Sequence, residues 1–417
     1  MSKPSILAMI LAGSRVGELG VLTHYRPKSA VPFGGFARVI DFPLSNLLHS
    51  GIERIAILSQ YRSYSLINHI GTGEAWDMIG RNRGISILPP FQDYDSPHWY
   101  RGSADAVYQN LDFIKYHDPS NLLVLSGDHI YQMDYRQMVQ YHNDQKADLT
   151  AAFIQVPQTS ASRFGVAEIA DDSSEGGRIL TYEEKPVQPK SNWASLTVYC
   201  FRPEVLYDVL RENQQNESYE FGRDIIPLMM KQKYNVHGFK FDGYWGYTRT
   251  VDEYWQTSMD LLGPEPKIDM ETWGVRTNLA HRNIAGRQPL KVGTCGSLEN
   301  SMAYNGCIIE GTVRNSILFP GVRVEKGAEV VDSVLFFDNV VQEGAKLCRV
   351  VSDVNTTFGT NVQIGVPGRG EPGNVSVIGW NNKVPAGTTI GSGCTVAPRI
   401  EEYRWPEKAL NDGEELK

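Results

Sequence analysis

At 417 residues the chain exceeds what one ordinary hydrophobic core supports, so two or three domains are expected. Hydrophobic content of 41% with 21% charged residues excludes a disordered or fibrous chain, and a net charge of −8 argues against nucleic acid or an anionic membrane as the main partner. No apolar run approaches the ~20 residues of a membrane helix. The opening MSKPSILAMILAG lacks the h-region and cleavage site of a signal peptide, so the cytoplasm is the expected compartment. Five cysteines (Cys200, Cys295, Cys307, Cys348, Cys394) are scattered and never in CxxC spacing, which reads as buried free thiols rather than a disulfide frame or zinc site.

The first apolar run, Ile6–Leu11, stops at Gly13 and leads into a Gly-punctuated loop followed by Arg26 and Lys28. A strand, a loop whose backbone N–H groups close on oxygens, then fixed cations together make a phosphate cradle. Glu18 puts a negative charge into the middle of it. Runs at Arg54–Leu58, 122–125, 149–154 and 196–201 read as further strands, with helical stretches over 103–115 and 135–145. Strands alternating with helices over residues 1–262 imply an α/β domain with a mostly parallel sheet, helices on both faces, and ligands at the carboxyl ends of the strands. LLVLSGD (122–128) is such a strand end and delivers Asp128 to the loops.

Asp128, followed by His129, is a candidate Mg²⁺ ligand, because phosphate-bridging Mg²⁺ takes one or two protein carboxylates. A lone Asp after a strand equally serves as a cap or turn former. In WYRGSADAV (99–107), Gly102 and Ser103 offer backbone donors, with Arg101, to an anion. The competing reading is an N-cap serine under an aromatic staple. EEKP (183–186) sets Lys185 before Pro186, which favours extended backbone there, although most exposed lysines are merely solvated. Tyr244, Trp245, Tyr247, Tyr254 and Trp255 read as core rather than as a binding platform.

From about residue 293 the period changes. SILFPGVRVEKGAEVV (316–331) aligns with SVLFFDNVVQEGAKLC (333–348) at a shift of 17, matching Leu318 with Leu335, Phe319 with Phe336 and Val324 with Val341. Ile378, Val384, Ile390 and Val396 then fall at steps of six. A hexapeptide period with three steps per turn predicts a β-helix that stacks its aliphatic residues coil upon coil. Residues 263–292 read as a linker and the polar, acidic stretch 407–417 as a loose tail.

Eight blocks in fixed order carry a resemblance that spans nearly the whole chain: RPKSAVPFGG (26–35), RVIDFPLSNLLHSGI (38–52), SQYRSYSL (59–66), WYRGSADAVYQNLD (99–112), SGDHIYQMDY (126–135), RFGV (163–166), EEKP (183–186) and FGRDIIP (221–227). They resemble the ADP-glucose pyrophosphorylase (glucose-1-phosphate adenylyltransferase) family. The resemblance implies a Rossmann-like nucleotidyltransferase domain over 1–262, then the linker over 263–292, a left-handed parallel β-helix over 293–398 and the C-terminal tail over 399–417. It implies the conversion of ATP and glucose 1-phosphate to ADP-glucose and pyrophosphate, a step of glycogen biosynthesis, with Mg²⁺. By that resemblance Lys28 sits against the ATP phosphates and Asp128 holds Mg²⁺. Gly13, Gln60, Trp99, Tyr100 and Gly102 belong to the nucleotide loops. Gly165, Glu184, Lys185, Ser195 and Phe221 line the glucose 1-phosphate pocket, with Glu220 where the family usually has Asp. A homotetramer, or a hetero-oligomer with a related subunit, is implied, with the β-helix as the oligomerisation and regulatory element. Acyl transfer on the β-helix is not expected, since residues 293–398 contain no His to act as base.

Three positions depart from the family pattern. The loop resembling GGxGxRL has Glu18 in place of the Arg that faces the leaving pyrophosphate. Tyr247 stands where the pattern YWxDVGT has its metal-binding Asp, and Phe36 where many bacterial members carry an activator-binding Lys. Exchanging a cation for an anion ~4 Å from a phosphate changes two Coulomb contributions of about 4 kcal/mol each at an effective dielectric near 20. A third of that sum is already roughly a hundredfold in rate. Arg15 is a candidate replacement cation, and Glu18 itself a candidate metal ligand. Asp242, on the opposite face of a strand through 247, is a poor one. Two readings follow: an active enzyme with a rearranged cradle, or a regulatory subunit of the same fold with little turnover.

Overall fold

The unbroken apolar run ILAMIL forms strand β1 (Ile6–Leu11), buried through its middle as a central parallel strand requires. The computed structural model describes residues 5–13, 17–81, 83–91, 99–171, 173–365, 374–406 and 409–417. Its two units do not follow chain order. Met1–Ser14, Phe42–Ser63 and Gly71–Gly243 make the first, and Arg15–Asp41, Tyr64–Ile70 and Tyr244–Lys417 the second.

In the first unit β1 is joined by β2 (Arg54–Leu58), β3 (Gly84–Leu88), β4 (Asn121–Ser126), β5 (Leu149–Gln155), β6 (Gly165–Ile169), β7 (Gly176–Glu184), β8 (Trp193–Phe201) and β9 (Val236–Lys240). Their order across the sheet is β3-β2-β1-β4-β8-β5-β9-β7-β6. The first four are mutually parallel, with Leu7 opposite both Arg54 and Leu122. Beyond them the expected parallel arrangement gives way. β8 runs antiparallel to β4 and β5, and β7 antiparallel to β9 and β6. The reason is local: β6 and β7 form a hairpin-like excursion instead of a helical crossover, so the chain returns in the opposite sense. Leu7, Met9, Val124, Phe153 and Phe201 centre the core.

The helix expected over 103–115 is two helices, Ser103–Tyr108 and Leu111–His117. Asn110 divides them. Its side-chain amide donates to Ala106 O at 2.8 Å and to Tyr100 Oη at 3.0 Å, a local bond that competes with helix continuation.

The second unit contains the solenoid. Three parallel sheets of six, seven and seven short strands run along it, the arrangement of a left-handed β-helix. The 17-residue shift is the ladder register itself, with Leu318 opposite Leu335, Val324 opposite Val341 and Val330 opposite Leu347. Ile378, Val384 and Ile390 lie one on each sheet, and Val396 returns opposite Ile378. Asn315, Asp332 and Arg349 turn equivalent corners at φ 46°, 48° and 54°, a left-handed conformation that Asn and Asp tolerate best.

Residues 409–417 are not a loose tail. Ala409–Leu410 pairs with Thr389–Ile390 and Glu415–Leu416 with Thr395–Val396, so Leu410 and Leu416 supply the apolar steps of a last coil. Within 263–292, Ile268, Met270 and Ile284 are buried, which a bare linker does not require. Strands of the solenoid begin at Lys291–Val292. Four cysteines are buried thiols as expected, whereas Cys295 is exposed.

Segment Arg15–Asp41 packs with the solenoid's unit through aromatic contacts. Tyr254 donates its hydroxyl to Pro32 O at 2.5 Å, and its ring meets Phe33 and Phe336, each at 6.1 Å between centroids. The core reading of Tyr254 therefore holds. Phe36 lies 4.9 Å from the Tyr304 ring. Gly35, at φ 85°, allows that approach, because a Cβ there would collide with Tyr304.

Candidate active site

Lys28 begins a short 3-10 turn after Pro27, whose φ of −68° is set by its ring. Its side chain is buried at 1% exposure, and the ammonium stands 5.1 Å from the centroid of the Tyr247 ring. A cation over an aromatic face gains about 0.5–2 kcal/mol. Tyr247 in turn stacks on Trp245 at 5.2 Å. Its hydroxyl accepts a bond from Arg249 Nη1 at 2.9 Å, and Arg249 Nε and Nη2 reach Glu18 Oε1 at 2.9 and 2.8 Å. The two departures at 18 and 247 are thus joined by one guanidinium. Its bonds to the Tyr247 hydroxyl and then the Glu18 carboxylate hold its pKa above the ordinary arginine value.

Arg249 was not legible as part of this cluster, yet a signal lay beside it. Thr250 and Glu253 form a capping box at the helix Val251–Met259, and Glu253 Oε2 also accepts Arg249 N at 3.1 Å. The other candidate cations do different work. Arg26 is committed to a buried ion pair with Asp353, Nη2 to Oδ1 at 2.9 Å, so it is not a phosphate-facing cation. Arg15 lies outside the described residues, as do its neighbours Ser14 and Val16.

In the first unit Gly13 passes close to the end of β2, where a Cβ would come within 2.9 Å of Gln60 N. Gln60 is bound reciprocally to Tyr100: Tyr100 N donates to Gln60 Oε1 at 2.8 Å and Gln60 Nε2 donates to Tyr100 O at 3.1 Å. Burial raises the Tyr100 phenol pKa. Trp99, next in the loop, is 72% exposed.

Ser103 and Arg101 do not present open donors. Ser103 N and Oγ both donate to Glu220 Oε2, at 3.0 and 2.5 Å, and Arg101 is tied to Asp105 at 2.7 Å. The N-cap position is Gly102, without a side-chain cap, so the serine-cap reading fails as well. Gly102 is required by a close approach, since a Cβ there would collide with Tyr219 O. Glu220 therefore fastens the loop at 99–103 to the start of the turn at Phe221.

Glu184 ends β7 and accepts the Tyr182 hydroxyl at 2.9 Å. Gly165 and Gly222 both face this carboxylate, and a Cβ on either would collide with Glu184 Oε2 or Tyr182 Oη. Gly222 and Tyr182 were missed from the sequence. Lys185 Nζ stands 3.9 Å from Glu184 Oε1 and is half-exposed. Its backbone is not extended: φ is 49°, because the chain turns out of β7 while Lys185 N stays bonded to Phe164 O at 3.0 Å. Ser195 sits at an irregularity of β8, with its Oγ accepting Thr197 N at 3.3 Å. Phe221 is 1% exposed and packs on Tyr199 and Phe201, each at 5.5 Å, so it supports the pocket as core.

Asp128 follows β4 as expected. Its Oδ1 accepts the Ser126 hydroxyl and lies 3.3 Å from His129 Nε2. Among the described residues no group of three His, Cys, Asp or Glu side chains is placed to hold a metal. A single strand-end carboxylate fits an ion whose other oxygens come from substrate phosphates and water, as Mg²⁺ prefers. Residues 241–244 separate β9 from a short strand at Trp245–Gly246, so strand alternation does not relate Asp242 to Tyr247.

Comparison with known proteins gives the family. The Nucleotidyl transferase family matches residues 7–263, and the GlmU-like C-terminal hexapeptide family matches residues 289–371. The glucose-1-phosphate adenylyltransferase of Acetivibrio thermocellus is 38% identical over 97% of this chain and 96% of its own length. The chain belongs to the glucose-1-phosphate adenylyltransferase family. Proteins with that name from Clostridium botulinum and Clostridium perfringens are 42% and 43% identical over 80% of this chain, covering 85% and 84% of their own lengths. Within the glucose-1-phosphate adenylyltransferase family this chain combines Glu18, Tyr247 and Arg249 in one bonded cluster, and the enzyme name of these relatives does not favour the noncatalytic reading.

Proposed function

We propose that the chain transfers the adenylyl group of ATP to glucose 1-phosphate, giving ADP-glucose and pyrophosphate for glycogen synthesis. A phosphate oxygen of the sugar phosphate attacks the α-phosphorus in line, a P–O bond forms, and the bond to pyrophosphate breaks. Positioning and charge neutralisation dominate such a transfer. Lys28 is assigned to the ATP phosphates, where a buried ammonium is strongest because little water screens it. Gln60, by fixing Tyr100, orders the loop that carries Trp99 and Gly102 against the base.

The observation that carries the reading is Glu184 with Lys185. A carboxylate suited to sugar hydroxyls lies beside an ammonium suited to the sugar's phosphate, and the missing side chains of Gly165 and Gly222 let the carboxylate and the Tyr182 hydroxyl pack against their backbone. Ser195 completes the polar side of the pocket, and Phe221 backs it. Asp128 is assigned to Mg²⁺, which when bound neutralises phosphate charge. The cytoplasm and a tetramer, homo- or hetero-oligomeric, remain part of the proposal. Among the described residues no helix is long and apolar enough to cross a membrane.

The test is ADP-glucose formation by the purified full chain with ATP, glucose 1-phosphate and Mg²⁺. Lys185→Ala is expected to raise the KM for glucose 1-phosphate tenfold or more with a smaller change in the KM for ATP. Equal effects on both substrates would remove the assignment.

A further inference from the structure

The Glu18–Arg249–Tyr247–Lys28 cluster is more than a repair of an altered loop. Lys28 lies over the face of the Tyr247 ring, and Arg249 bonds to the hydroxyl of the same ring. Tyr247 therefore stands between two cationic side chains. A carboxylate in its place would pair with one or both and cancel their charge for an incoming anion. Tyrosine holds both without neutralising either.

Glu18 and Arg249 differ from the rest in exposure. Their side chains are 46% and 35% exposed, so the bond between them is a surface ion pair, which solvent screens. A phosphate offers the guanidinium stronger, charge-assisted and bidentate bonds. The arginine backbone stays fixed during such an exchange. Arg249 N and Thr250 N both donate to Glu253 Oε2 at 3.1 Å, within the capping box that starts the helix Val251–Met259. A base fixed by the capping box, a head group paired with a partly exposed carboxylate and a second cation on the same ring make a device for receiving a polyphosphate.

We propose that Arg249 is the second triphosphate-binding cation of this chain, acting beside Lys28, and that Glu18 holds it in place until ATP displaces the carboxylate. The idea rests on the adenylyltransferase reading for its ligand but not for its test. Titration of the full-length protein with MgATP, and separately with pyrophosphate, reads binding without turnover.

Arg249→Gln is expected to weaken MgATP binding at least tenfold, and to raise the KM for ATP far more than the KM for glucose 1-phosphate. Arg249→Lys is expected to lose less, and added guanidinium ion to restore part of the affinity of Arg249→Ala. Glu18→Gln is expected to tighten MgATP binding several-fold, because it removes the competing carboxylate. A purely structural bridge predicts the reverse for Glu18→Gln and no guanidinium rescue. MgATP binding by Arg249→Gln within twofold of the parent overturns the proposal, as do equal losses in Arg249→Lys and Arg249→Gln. If no ADP-glucose forms while Arg249→Gln still weakens MgATP binding, the adenylyltransferase reading fails and the role of Arg249 stands.

Discussion

Arg26 and Asp353 form a buried ion pair across a sequence separation of 327 residues, with Arg26 Nη2 at 2.9 and 3.2 Å from the two carboxylate oxygens. The pair ties the segment before Lys28 to a coil of the solenoid in the same unit. The buried Arg38 and the more exposed Arg282 stand near it. Burial, with Arg26 and Arg282 nearby, lowers the Arg38 guanidinium to about 9.

Removing Asp353 takes away the carboxylate bonded directly to Arg26. Asp353→Ala is expected to cost ~3–5 kcal/mol, the usual penalty for breaking a buried pair from one side. Urea unfolding measures it. A loss under 1 kcal/mol would mean that the neighbouring acids Asp41 and Asp338 already carry the compensation.

Acid should weaken the fold through buried neutral histidines. Burial lowers His142 and His281 to about 4 from an ordinary value of 6.5. The unfolded chain binds these protons first, so the stability they contribute is full above pH 6.5 and is lost as pH falls toward 4. His142, whose Nδ1 lies 2.9 Å from Thr150 Oγ1, is the cleaner test. His142→Gln should flatten the dependence of unfolding free energy on pH between 6.5 and 4. An unchanged slope would assign the acid loss to other groups.

The glycines around Glu184 give a specific prediction for the sugar site. Gly222→Ala must displace Glu184 or Tyr182, since its Cβ falls on the carboxylate. The expected result is a rise of tenfold or more in the KM for glucose 1-phosphate with little change in thermal midpoint. A large fall in midpoint with an unchanged KM would make the glycine a packing feature only.

Removing residues 407–417 should uncover the strand edges at Thr389–Ile390 and Thr395–Val396 and strip Leu410 and Leu416 from the solenoid end. Uncapped repeat ends lose stability and associate. Loss of ~2–5 kcal/mol, or concentration-dependent aggregation by light scattering, is expected. A monodisperse truncated chain of full stability would return this segment to the status of a tail.

Legibility in the sequence followed the range of the interaction. The solenoid register was readable because stacked coils repeat locally, and Leu318 and Leu335 announce their own pairing at 17 residues. Asp128 was readable because an apolar strand ends at Ser126. The partner of Arg26 was not, since nothing local marks Asp353. Arg249 was hidden for the same reason, because its meaning lies in Glu18, 231 residues away. The last coil escaped notice because only two aliphatic residues, Leu410 and Leu416, signal it within a polar stretch. Lys185 shows the limit of a local rule: the proline after it favours extended backbone, but the turn out of β7 sets φ at 49°.

The most direct measurement is the rate of ADP-glucose formation by the full chain with ATP, glucose 1-phosphate and Mg²⁺, beside Lys28→Ala. The account predicts ADP-glucose and pyrophosphate in equal amounts from the parent chain. It predicts a loss of at least a hundredfold, about 2.7 kcal/mol of transition-state stabilisation, in the variant. A parent chain that binds both substrates yet forms no more ADP-glucose than Lys28→Ala would contradict it.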